Sequence, residues 1–315
     1  MEETIKGYKG FNKDMTCRGK QYKENTTYEE DGTEICEAGM MHFCENPYDV
    51  LDYYPLVNEY GDISDFAEVE AVGEVKKDGN KSATNKLHIG AKLGLKGFVK
   101  SCVDFTIEKT RIENAEECTD YDNGKNYAQI GSSGDFTQIG SSGDFTQIGS
   151  SGYSAKIGSS GDSAKIGSSG YSTKIGSSGD FTQIGSSGNY AQIGSSGNFT
   201  QIGSSGNYAQ IGSSGDSAKI GSSGNYAQIG SSGDSAKITS IGKNSVVMAA
   251  GYNSIARAKI GSWITLAEWV KTGEKNENGS YIWIPKCVKT EYVDGERIKE
   301  NTFYKLVDGE FKECE

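Results

Sequence analysis

The chain has 315 residues, a formal net charge of −11, 43 glycines and 3 prolines. That acidity argues against nucleic acid as a partner, because binding a phosphate backbone needs a basic surface. No apolar run approaches the roughly eighteen residues of a membrane-spanning helix, so no membrane partner is expected either.

The start, Met1-Glu2-Glu3-Thr4, has neither a basic leader nor an apolar stretch, which makes the cytoplasm the expected location. Residues 1–118 have the composition of an α+β globular domain, 119–261 that of a repeat array, and 262–315 that of a β-hairpin cap. In the first of these, Gly39 to Phe43 predicts a short strand. Asn46 followed by Pro47 predicts a helix over 46–54, capped by the asparagine. Alternation from Phe66 to Val75 predicts a strand, and the stripe Leu95, Val99, Cys102, Val103 and Ile107 predicts a helix over 95–108. His42, between Met41 and Phe43, reads as a partly buried histidine, and Cys44 has no visible activating partner.

Two resemblances arise here. Tyr8-Lys9-Gly10-Phe11, Thr16-Cys17-Arg18-Gly19, His42 to Pro47 and the Val-Glu-Ala strand resemble an uncharacterised domain of bacteriophage and gut-bacterial proteins. The resemblance implies a phage setting and a repeat number free to change, but no activity. Arg18, the stretch Phe43 to Tyr53 and Glu68-x-Glu70 follow the order of some ADP-ribosyltransferases, although the Ser-Thr-Ser element is missing. That likeness implies Arg18 on the NAD pyrophosphate and Glu68 or Glu70 on the oxocarbenium-like ribose. Both glutamates equally suit the polar face of a half-buried strand.

From Asn126 to Gly233 a nine-residue unit ending Ile-Gly-Ser-Ser-Gly repeats twelve times without a gap, and a thirteenth opens at Asp234. A flexible Gly/Ser linker has no reason to keep isoleucine in phase. The fixed period predicts a parallel β-solenoid, with two nonapeptides closing an 18-residue coil and alternate units stacking in separate sheets. The first five residues of a unit are expected as strand and Gly-Ser-Ser-Gly as the corner, with glycine supplying positive φ. The corner has no carboxylate, unlike calcium-binding β-rolls, and the threonines fall on the core side, unlike ice-binding arrays.

Outward positions co-vary. A Tyr or Phe at the second position goes with Gln at the fourth, and Ser goes with Lys. Tyr190, Tyr208, Tyr226, Phe136, Phe181 and Phe199 are expected to form exposed ladders. Tyr153 and Tyr171 replace the usual Asn or Asp at the first position and are expected to lie one above the other.

After Ile238, residues 244–260 resemble the head repeats of trimeric adhesins. Trp263 to Trp269 is expected to cover the rod's end, and Asp294-Gly295 and Asp308-Gly309 predict hairpin turns. Seven scattered cysteines and two histidines offer no disulfide frame or metal site, and no cofactor motif is present. The fold expected is mainly β, a solenoid between an α+β domain and a β cap. The function expected is non-enzymatic, a rigid rod and binding face for a protein partner, a host factor or a second copy in a homo-oligomer. The alternative is an ADP-ribosyltransferase-like enzyme with the rod as spacer.

Overall fold

The computed structural model describes residues 4–33, 35, 39–110 and 126–314. Each unit contributes one short strand, such as Gln192–Ser195, paired in parallel with the strand two units away, so that Ile175, Ile193 and Ile211 align. Alternate units build a ten-stranded and a nine-stranded sheet, with eight parallel strands in each. Two nonapeptides therefore close a coil, as the period predicts.

The phase within a unit differs from expectation. The strand covers the fourth to seventh positions, Gln/Lys-Ile-Gly-Ser, and the turn runs from the eighth to the third. Because side chains alternate along a strand, the serine two places after isoleucine also points inward. Ala191, Ile193 and Ser195 are all buried. Serine acts here as a small filler, since the Oγ atoms of Ser168, Ser186, Ser204 and Ser222 find no hydrogen-bond partner.

None of the array's glycines from Gly131 to Gly251 has a positive φ. The left-handed residue is instead the second of the unit, Tyr190 at 58° and Ser217 at 57°, with Asn244 serving at 57° beyond the regular repeats. The ninth-position glycine is required for space: a Cβ on Gly188 would lie 1.8 Å from the carbonyl oxygen of Gly170. Each turn is stapled to the next coil. Tyr190 N donates to Asn207 O at 2.9 Å, and Asn189 Oδ1 accepts from Asn207 N at 2.9 Å. That second bond needs only an acceptor oxygen, so Asn and Asp interchange at the first position.

The N-terminal domain has a four-stranded antiparallel sheet in the order Ile5–Phe11, Asp65–Ala71, Lys86–Lys92, Thr26–Glu29, and a small sheet of Met41–Phe43, Lys81–Thr84 and Val75–Asp78. The helix expected at 46–54 is a 3₁₀ helix, Pro47–Asp52, whose cap Asn46 accepts from Tyr48 N at 3.1 Å. Helix α1 spans Gly94–Lys109, close to expectation. Phe98 turns toward the domain sheet and stacks on Phe66, ring centroids 3.7 Å apart.

The domain does not stand at the rod's end, as a head–rod–cap order suggests, but lies along its flank. Leu95, Val99, Val103 and Thr106 of α1 face the sixth-position glycines of the ten-stranded sheet. A Cβ on Gly203 would meet Leu95 at 3.3 Å, on Gly185 Val99 at 2.7 Å, and on Gly149 Thr106 at 2.9 Å. One helical turn rises about 5.4 Å and one coil about 4.8 Å, so a helix parallel to the rod sets roughly one side chain over each glycine. Polar contacts extend the interface. Tyr48 OH donates to Ile148 O at 3.0 Å, Lys165 pairs with Asp52 at 2.6 Å, Thr239 Oγ1 donates to Gly61 O at 2.7 Å, and Arg257 pairs with Asp62 at 2.7 Å. Gly61 is itself obligatory, with φ at 74° and a would-be Cβ 2.6 Å from Phe303.

Asp49 sits against this interface beside Lys165 and Gln147. Burial pushes its carboxyl up to about 6 from the ordinary 3.8, against the pull of Lys165. A carboxyl that holds its proton more tightly when folded favours the fold at low pH and disfavours it as pH rises through about 4 to 6. Across that window the thermal midpoint of the unaltered chain is expected to fall relative to that of Asp49→Asn, the acids held low elsewhere, such as Glu268, being common to both. Asp49→Asn is expected to raise the midpoint at about pH 7.

At the far end, the first four residues of the strand Trp263–Lys275 still pair in parallel with Val246–Ala249, so the solenoid runs past the boundary expected at 261. The strand then joins Tyr281–Tyr292 in a long antiparallel hairpin. On the other sheet Phe303–Val307 caps Ile255–Ala258 and turns at Asp308-Gly309 into Glu310–Cys314. Asp294-Gly295 is not a hairpin turn. It lies in the segment crossing from the nine-stranded to the ten-stranded sheet, where Asp294 Oδ1 accepts from the backbone N–H of Glu296, Arg297 and Ile298. The boundary expected at 118 lies outside the described residues. No described helix is long and apolar enough to cross a membrane.

Candidate functional site

The N-terminal domain covers the ten-stranded sheet, and none of the described residues covers the outer face of the nine-stranded sheet. Three columns run along that face, because the second, fourth and sixth positions all point outward. The sixth position is a bare groove: a Cβ on Gly140, Gly158, Gly176, Gly194 or Gly212 would meet nothing within 4 Å. The fourth position is a ridge of Gln138, Lys156, Lys174, Gln192, Gln210 and Gln228. Neither Lys156 nor Lys174 has a carboxylate partner among the described residues. Val246 and Met248 close the groove toward the cap.

The third column is aromatic and unbroken. Phe136, Tyr153, Tyr171, Tyr190, Tyr208 and Tyr226 follow one another with ring centroids 5.7, 5.5, 5.2, 5.0 and 4.9 Å apart. Each ring is exposed. The two anomalous tyrosines explain themselves here. Where Ser154 and Ser172 leave the second position without a ring, Tyr153 and Tyr171 supply one from the first. They stack as expected, 5° from parallel.

Continuity has a cost. Tyr153 and Tyr171 have no amide or carboxylate oxygen, so the side-chain staple to Tyr171 N and Asn189 N is absent, at about 1 kcal/mol for each bond. Stacking offsets part of this, at about 1 kcal/mol per ring pair. On the ten-stranded edge no such replacement is made: Ser163, Ser217 and Ser235 follow Asp162, Asp216 and Asp234. Among the described residues that edge carries isolated pairs, Tyr127 with Phe145 and Phe181 with Phe199, each at 5.0 Å. Phe181 and Phe199 thus belong to a different edge from the tyrosine ladder, and the expected ribbon is two columns.

Of the residues of the enzymatic alternative, Arg18 lines the cavity of the N-terminal domain, and Glu68 and Glu70 do not. Glu68 and Glu70 lie opposite Tyr8 and Lys6 in the sheet, and Glu70 is 3.7 Å from the Lys6 ammonium. They alternate with Ala67, Val69 and Ala71, which pack in one core with Cys17 and Tyr22. Arg18, at φ 49°, lies in the turn after Cys17 of that core. His42 Nε2 is tied to Ile35 O at 2.5 Å, and burial lowers its pKa. Burial pushes the Cys44 thiol up to about 12, which suits a core residue and not a nucleophile. Among the described residues no group of three or more His, Cys, Asp or Glu side chains is placed to hold a metal ion.

The rings are legible in the sequence and the groove is not, because the Gln/Lys-Ile-Gly-Ser strands of the covered and open faces read alike. Residues 5–101 match the family described as Domain of unknown function (DUF7666). No curated protein and no solved structure matches the chain.

Proposed function

We propose that the chain is a non-enzymatic interaction protein whose open face docks an α-helix of a partner protein. One observation carries this reading: the same glycine groove, on the opposite sheet, already seats α1. The partner helix would lie along the rod with small or branched apolar residues at each turn. Acidic side chains would reach Lys156 and Lys174, as Asp52 reaches Lys165 on the covered face. The aromatic ladder borders the site and offers rigid anchors of the kind that concentrate binding energy. A phage or gut-bacterial setting, which the N-terminal resemblance implies, would fit a chain that occupies and blocks a host factor.

Capture from cells that carry the chain tests this. The retained partner is expected to be lost from Gly194→Leu, which fills the groove, and from the double variant Tyr171→Ser/Tyr190→Ser. It is expected to survive in Phe181→Ser/Phe199→Ser on the other edge. Retention by both of the first two variants would sink the reading. A retained partner that proves to be a second copy would replace it with self-assembly.

A further inference from the structure

The N-terminal domain holds a cavity that the docking face does not use. It measures about 690 Å³ and lies between Ile5–Phe11, the hairpin at 16–21 and Met41–Phe43. Its lining runs against the chain's overall charge, with Lys9, Arg18, Lys20 and Lys81 facing Glu30 and Asp52. Four of those six charges are already matched. Lys20 pairs with Glu30, Lys81 with Asp78 and Asp52 with Lys165. Lys9 and Arg18 have no carboxylate partner among the described residues.

Lys9 is the more telling of the two, being only 5% exposed. Its ammonium donates to His42 O at 2.8 Å and lies 5.6 and 5.7 Å from the rings of Phe11 and Tyr22. The Cys17 thiol is a second, weak partner, so at least one of the three ammonium donors is left over. A cation taken out of water without a counter-charge is costly, and burial does push Lys9 below the usual lysine range. Methionine would fill the same space without that cost. Arg18 reaches the cavity from an exposed turn, where its planar fork can meet an incoming anion bidentately. Tyr22, Phe43 and Tyr54 supply flat apolar walls, and Tyr54 is fixed by its hydroxyl at 2.9 Å from Cys17 Sγ.

We propose that this cavity binds a small organic anion, with its charged group held between the Lys9 ammonium and the Arg18 guanidinium and its flat portion against Tyr22 and Tyr54. The anionic group can be a phosphate ester or a carboxylate, both of which suit this pair of cations. An anion beside Lys9 completes a pairing that the described residues leave open. The inference is independent of the docking face and stands or falls without it.

Calorimetric titration of the full chain with inorganic pyrophosphate, adenosine monophosphate and citrate, at ionic strength matched with sodium chloride, separates the two chemistries. At least one probe is expected to bind with a dissociation constant below about 1 mM. Arg18→Gln, an exposed change that leaves the core untouched, is expected to weaken that binding by about tenfold or more. Lys9→Met is expected to weaken it similarly while raising the thermal midpoint of the empty protein. Failure of all three probes to bind, or undiminished binding by Arg18→Gln, would overturn the proposal. If Lys9→Met does not fold, Arg18→Gln alone decides.

Discussion

Replacing Gly188 by valine is expected to unfold the solenoid, while the same change at Gly194, six residues on, is expected to be silent or slightly stabilising. At Gly188 the new Cβ would sit 1.8 Å from the carbonyl oxygen of Gly170, inside any permissible contact, and both atoms are held by backbone stacked coil on coil. No side chain stands in the way that could rotate aside, so the coils must separate. A loss of more than about 4 kcal/mol is expected, beyond the range of ordinary overpacking. At Gly194 the same Cβ meets nothing within 4 Å, and a β-branched residue suits a strand better than glycine by about 0.5–1 kcal/mol. Circular dichroism through a thermal ramp reads both. Equal effects at the two sites would mean that the repeat's glycines serve backbone flexibility and not close approach.

Deleting two coils, Asp180 to Gly215, is expected to release the N-terminal domain from the rod although the solenoid's own register is preserved. The domain grips the rod at widely separated points, with α1 on Gly149 at one end and Asp62 on Arg257 at the other. Removing two coils shortens the rod by about 10 Å. Gly221, Thr239 and Arg257 align in one column. The deletion therefore brings Arg257 into the place of Gly221, where Val57 and Ile63 already lie 3.0 and 3.2 Å from a would-be Cβ. Hydrogen exchange across α1 is expected to lose its protection in the shortened chain. Undiminished protection would show that the domain tolerates any repeat number. A domain that grips the rod at points this far apart would act as a ruler for repeat number.

Much of the rod is legible in the sequence, and the reasons are local. Isoleucine at every ninth place fixes the coil, and the pairing of alternate units follows from the odd period. The strand's phase is hidden because the inward serine looks polar, whereas in the core it serves as a spacer beside Ala191 and Ile193. Which face lies open is equally hidden, since Gly185 and Gly194 sit in identical surroundings along the chain and differ only in what folds over them. One clue to the asymmetry is in the sequence all the same. On one edge every serine at the second position follows a tyrosine, and on the other it follows an aspartate. Lys9 gives no sign of burial, because lysine between Tyr8 and Gly10 on a strand near the N-terminus reads as surface.

The most direct test of the docking face is photo-crosslinking from two positions of the same type. A photoreactive side chain at Gln192, in the ridge of the open sheet, and at Gln183, which sits beside Leu51 O on the covered sheet, would be activated in cells that carry the chain. A helix of another protein is expected to crosslink to position 192, and only residues near Leu51 of the same chain to position 183. A partner captured from position 183, or none from 192 while binding persists, would contradict docking on the open sheet.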